Sequence, residues 1–132
     1  MVLGGWIFLR RWLRSVACLL ALCWAVMAPA AATPSPSEDK LIQNLIQRVE
    51  THRDMVFLRN GEEHSAAEAA RHMREKYDYF RSEIVTAEDF IQRCATRSEM
   101  TKTAYKIRLK TSGAVRSASD FMHEELKALR QR

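Results

Sequence analysis

Glycine and proline are scarce in this chain of 132 residues, with four of the first and three of the second. Beyond Gly4 and Gly5, only Gly61 and Gly113 remain, and each stands alone. No glycine-rich loop is therefore present to bring backbone amides around a phosphate. A Gly-x-Ser-x-Gly run, which would raise a serine nucleophile on a sharp turn, is also missing. Cys18, Cys23 and Cys94 are the three cysteines, and none has the paired spacing of a zinc site. These absences leave no cofactor to expect. They also argue against an enzyme.

Apolar runs are equally limited. The longest covers residues 15–27 and falls short of the about 20 apolar residues that a membrane span requires. It lies between Arg10, Arg11 and Arg14 on one side and Ala28-Pro29-Ala30-Ala31-Ala32 on the other. A basic stretch, a short apolar core and an Ala-x-Ala site are the three parts of a secretory signal. Residues 1–32 are thus expected to be a cleavable signal peptide, cut between Ala32 and Thr33, with Ala30 as the alternative frame. Two other readings of this segment are weaker. Leu22 before Cys23 suits a lipoprotein poorly, and Leu9 stands where a twin-arginine signal usually has Ser or Thr. The expected location is the periplasm or the exterior, with no stable membrane span after cleavage.

Setting the signal aside changes the rest of the balance. The chain's 21 basic and 16 acidic residues give +5, but three of the basic residues and no acid belong to the signal. The remaining net charge is +2, which removes the argument for a nucleic-acid partner. Cys18 and Cys23 leave as well, so Cys94 has no internal partner and the apolar core alone must hold the domain.

Residues 33–132 read as one small domain. Ser35, Pro36 and Glu38 form a helix start with a capping box, and Leu41, Ile42, Leu45, Ile46 and Val49 follow on one face. Met55-Val56-Phe57-Leu58-Arg59 favours a strand, ended by Asn60-Gly61 as a turn. Ser65 with Glu68 opens a second helix, whose buried face holds Ala66, Ala69, Ala70, Met73, Tyr77 and Phe80. Thr86 with Asp89 opens a third, with Ala87, Phe90, Ile91, Cys94 and Ala95 buried. Tyr105, Ile107 and Leu109 alternate with Lys106, Arg108 and Lys110, the period of a strand with one wet face. Thr111-Ser112-Gly113 turns the chain. Ser117 with Asp120 caps a last helix bearing Phe121, Met122, Leu126 and Leu129. The expected class is α+β, with about four helices on a short two-stranded antiparallel sheet. An all-α domain, with residues 55–58 extending the first helix, is the alternative.

Three stretches carry a resemblance: Phe57-Leu58-Arg59-Asn60-Gly61, then Ser65-x-x-Glu68-Ala69-Ala70-x-His72-Met73-Arg74-x-Lys76, then Thr86-Ala87-Glu88-Asp89-Phe90-Ile91. Through them the chain resembles the YfeK-like family of small exported bacterial proteins of unknown function. Lys102-Thr103-Ala104 stands where that family tends to have Gly-Lys-Pro. The resemblance implies an envelope location in a Gram-negative cell and no particular activity.

Candidate binding residues are Arg59, Asn60, His72, Lys106 and Arg108. Arg59 and Asn60 could present a loop to an acidic partner, or simply form a turn tolerant of positive φ. His72 could be a pH-sensitive contact or a general base. Lys106 and Arg108, with Lys102 and Lys110, make a basic stripe that suits an envelope protein or an anionic envelope component, or that protects an edge strand. His64, Glu68 and His72 have the four-residue spacing of one helical stripe, which zinc could use. However, Ser65 as N-cap leaves His64 outside the helix and Glu68 is needed for the box, so no metal site is expected. Cys94 falls in the buried stripe, where a thiol is a small apolar group. The expected role is a non-enzymatic binding or accessory module, and the alternative is a small hydrolase or metal-dependent enzyme centred on His72 and Glu68.

Overall fold

The computed structural model describes residues 32–132, so the expected signal peptide, all but its last residue, lies outside the described residues. Ser35 opens α1 (Pro36–Thr51): its Oγ accepts from the Glu38 amide, and Pro36 takes the first helical position. The capping box expected here does not form. Glu38 instead turns its carboxylate outward to accept the Ala87 amide at 2.7 Å, joining the starts of two helices. Ile42, Leu45, Ile46 and Val49 are fully buried, as the helical period requires.

The chain then forms β1 (Met55–Arg59), β2 (Glu62–His64), α2 (Ala66–Phe80), a 3-10 turn and α3 (Ala87–Phe90). A π-helical turn, Ile91–Ala95, continues α3, and β3 (Lys106–Leu109), β4 (Val115–Ser117) and α4 (Ala118–Arg130) complete the domain. Capping boxes open α2 (Ser65 with Glu68) and α3 (Thr86 with Asp89). No helix among the described residues is long and apolar enough to cross a membrane.

The sheet has four antiparallel strands in the order β2-β1-β3-β4, which corrects the expected two. The two added strands are three-residue edges, Glu62-Glu63-His64 and Val115-Arg116-Ser117, too short and too polar to show an alternating pattern. Their turns create them. Asn60 at φ 51° and Gly61 at φ 81° make the two-residue hairpin whose twist matches paired strands, and this places Phe57 opposite His64. Gly113 at φ 72° serves the second hairpin. The all-α alternative fails at Met55–Arg59, which pairs with strands on both sides.

Burial separates the two sheet faces. Met55 and Phe57 of β1 and Ile107 of β3 point into the core against the helices, while Val56, Leu58, Lys106 and Arg108 are more exposed. Pairing of Phe57 with Ile107 brings Arg59, two residues on, to the helix-facing side beside Tyr105. Strand alternation therefore delivers a cation to the border of the core.

Candidate functional site

A cleft opens between α2, the end of the β1–β2 hairpin and the loop at Ser98–Met100, with a volume of about 890 Å³. Its floor is built from three elements. The end of β1 contributes Arg59. Helix α2 contributes His72 and, one turn later, Lys76. Tyr105, just ahead of β3, closes the far side.

Within that floor His72 Nε2 lies 3.3 Å from the Tyr105 hydroxyl, and the rings meet edge to face at 6.1 Å between centroids. The His72 pKa falls to about 4, first because burial disfavours the imidazolium and then because Arg59 and Lys76 repel it. The ring is thus neutral at physiological pH, with one N–H to donate and one lone pair to accept. Burial also raises the Tyr105 hydroxyl, so it stays protonated.

Lys76 is the unusual member. It is only 8% exposed and sits on the apolar stripe between Met73 and Phe80. Its ammonium donates to the Arg97 carbonyl at 3.0 Å and lies 5.3 Å from the centroid of the Tyr105 ring. Desolvation, ahead of any charge effect, lowers its pKa. Among the described residues neither Lys76 nor Arg59 has a carboxylate within ion-pair distance. A buried ammonium without a counter-ion is costly, and most lysines avoid this arrangement.

The carboxylates of the cleft lie at its rim. Glu68 accepts the Ser65 amide at 2.8 Å and the Ser65 hydroxyl at 2.9 Å, and these bonds hold its pKa down. Glu99 pairs with Lys102, while Glu62 and Glu75 are exposed. His64 borders the cleft with its Nε2 buried and without a hydrogen-bond partner, 3.9 Å from a Glu62 oxygen. The outer lip is apolar: Tyr79 is 81% and Met100 94% exposed.

The candidates named from sequence divide between two faces. Arg59 and His72 come together in the cleft, and Asn60 sits at its edge, where its Oδ1 accepts from the Thr101 hydroxyl at 2.6 Å. Lys106 and Arg108 lie on the other face of the sheet, and Arg108 is paired with Glu63 there. Lys110 donates to the Arg53 carbonyl and Lys102 pairs with Glu99, so the expected basic stripe is largely occupied by internal partners. Glu68 and His72 do not join: each is bonded elsewhere. Among the described residues no three His, Cys, Asp or Glu side chains group as a metal ion requires. Lys76 and Tyr105 were not among the sequence candidates, although a lysine inside an apolar helical stripe was a visible sign of the first.

Cys94 is fully buried in the π turn, where burial pushes its thiol up to about 12. A small cavity of about 30 Å³, lined by Phe57, Met73 and Cys94 among others, lies under the cleft.

Among known proteins, the chain is 35% identical over 77 residues to the uncharacterized protein YfeK of Salmonella typhimurium. The match covers 58% of this chain and 64% of that protein, so the chain spans somewhat under two thirds of its relative. No solved structure matches. A family model described as a family of unknown function (DUF5329) matches residues 36–130, which includes every helix and strand described above. The chain belongs to this YfeK-like family, whose function is not known.

Proposed function

We propose that the protein is an exported cell-envelope module that binds a ligand in the cleft between α2 and the β1–β2 hairpin, and that it performs no chemistry on it. One observation carries the binding reading: Arg59, His72, Lys76 and Tyr105 converge on one floor with polar groups to spare. Lone polar groups placed in a concave, partly apolar site are what ligand recognition uses. The arrangement of Glu68 and His72 supports binding over catalysis. Glu68 is spent on the helix cap, and a proton-transfer pair needs its members within hydrogen-bond reach. The three-part segment at residues 1–32 supports export to the periplasm.

The test is native mass spectrometry of the full chain expressed in a Gram-negative host and recovered by osmotic shock. The reading predicts a chain shortened by residues 1–32, carrying a small-molecule adduct that Arg59→Gln removes. An uncut chain retained in the cytoplasm, or an adduct that is the same on both proteins or absent from both, would contradict it.

A further inference from the structure

We infer that the ligand of this cleft is a small amphipathic oxyanion, with a carboxylate or phosphate group at the Arg59–Lys76 floor and an apolar body against Tyr79 and Met100. This deepens the binding reading and rests on it.

Charge supports the anionic end. The guanidinium of Arg59 presents a planar fork of donors suited to two oxygens of one group. Lys76 supplies a second, desolvated positive charge, and partial exclusion of water strengthens the attraction for an anion over its value at an open surface. Neither cation has a carboxylate partner among the described residues. The Tyr105 hydroxyl and the neutral His72 ring complete the floor as uncharged hydrogen-bonding groups. At the rim Glu99 is paired with Lys102, and Arg71 stands among the charged Glu62, Glu68 and Glu75, so the anionic end is set by the two unpaired cations of the floor.

The lip supports the apolar end. Tyr79 and Met100 are the two most exposed large apolar side chains among the described residues, and both border this cleft. The Tyr79 ring also meets Phe80 edge to face at 4.8 Å, which extends the apolar surface inward. Single exposed apolar residues are ordinary, but a cationic floor continuous with an apolar lip selects for a ligand having both characters.

The test is calorimetric titration of the full chain with phenyl phosphate and phenylacetate, using inorganic phosphate and benzyl alcohol as one-ended controls. At least one aromatic oxyanion should bind at least tenfold tighter than either control, and the stronger of the two identifies the oxyanion. Arg59→Gln should weaken the stronger aromatic oxyanion at least tenfold, with Arg59→Lys retaining part of the affinity. Tyr79→Ser should reduce that probe to the level of inorganic phosphate and leave inorganic phosphate unchanged. Lys106→Gln, on the other sheet face, should change nothing.

A second readout is the His72 ring. It faces Arg59 from β1, His64 from β2, Tyr105 ahead of β3, and Glu68, Glu75 and Lys76 from its own helix. An oxyanion seated among these groups should raise its titration midpoint. Equal binding of aromatic and inorganic probes, or affinity indifferent to Arg59→Gln, would overturn the inference. If the adduct of the recovered protein still depends on Arg59 while no oxyanion probe binds, the inference fails and the binding reading stands. If neither depends on Arg59, both fail.

Discussion

The imidazole of His72 and the hydroxyl of Tyr105 meet at 3.3 Å across the cleft floor, joining α2 to the start of β3. Because that imidazole is held neutral, the contact links acidity to stability. An unfolded histidine titrates near pH 6.5, whereas His72 in the folded chain titrates at about 4. Between those values the unfolded chain binds the extra proton. The contribution is therefore complete above about pH 6.5 and is lost as the pH falls towards 4. Discounted for the partial exposure of the ring, it amounts to about 1–2 kcal/mol. Urea midpoints of the wild type and His72→Gln across this range should converge as the pH falls. Parallel curves would show that the ring titrates normally.

Lys76 is predicted to cost stability. Removing a buried ammonium while keeping the length of its stem should leave stability unchanged or raise it by about 1 kcal/mol. Lys76→Met should thus melt no lower than the wild type and lose affinity for anions. A loss of more than about 2 kcal/mol would make Lys76 a structural residue, held by its bond to the Arg97 carbonyl and its stacking on Tyr105.

Tyr77 ties α2 to α1. Its ring is 1% exposed, packs edge to face on Phe90 at 5.7 Å, and its hydroxyl donates to Asp39 Oδ1 at 2.6 Å. Tyr77→Phe should cost about 1–1.5 kcal/mol in chemical denaturation. Phe90→Ala, which opens a void in the same cluster, should cost about 3–5 kcal/mol. The order of the two effects is the check, because a larger loss from Tyr77→Phe would place the weight on the hydrogen bond and not on packing.

Cys94 should be inert in the folded chain. Its thiol is fully buried and held near 12, so almost no thiolate exists at neutral pH. Labelling by a disulfide reagent should follow the unfolding rate and become immediate in denaturant. Fast labelling of the native protein would mean that the π turn opens readily.

Much of the scaffold was legible because it rests on local rules. Ser35, Ser65, Thr86 and Ser117 each cap a helix as their sequence context indicates, and the apolar stripes of all four helices face the core, with Leu41, Ala69, Phe80 and Leu129 partly buried at its border. Where reading failed, nonlocal contacts decided. Glu38 had two possible partners and took the distant one, Ala87, over its own cap. Strands β2 and β4 exist because a neighbouring strand offers them a hydrogen-bonding edge, and three polar residues carry no such information. The same reason hid the cleft. Arg59 and His72 could be named singly, but only the Phe57–Ile107 register brings Arg59 beside Tyr105. Lys106 and Arg108 were legible as a separate face, because alternation with Ile107 and Leu109 already placed them on the wet side of β3.

The central claim is that the floor formed by Arg59, His72, Lys76 and Tyr105 is where this protein meets its ligand. A map of amide and imidazole chemical shifts, recorded on the full chain during titration with a small-molecule extract of a Gram-negative envelope, tests it directly. The account predicts shifts centred on these four residues and extending to Tyr79 and Met100, with an upward move of the His72 midpoint. Shifts centred on Lys106 and Arg108, with the cleft unmoved, would contradict it.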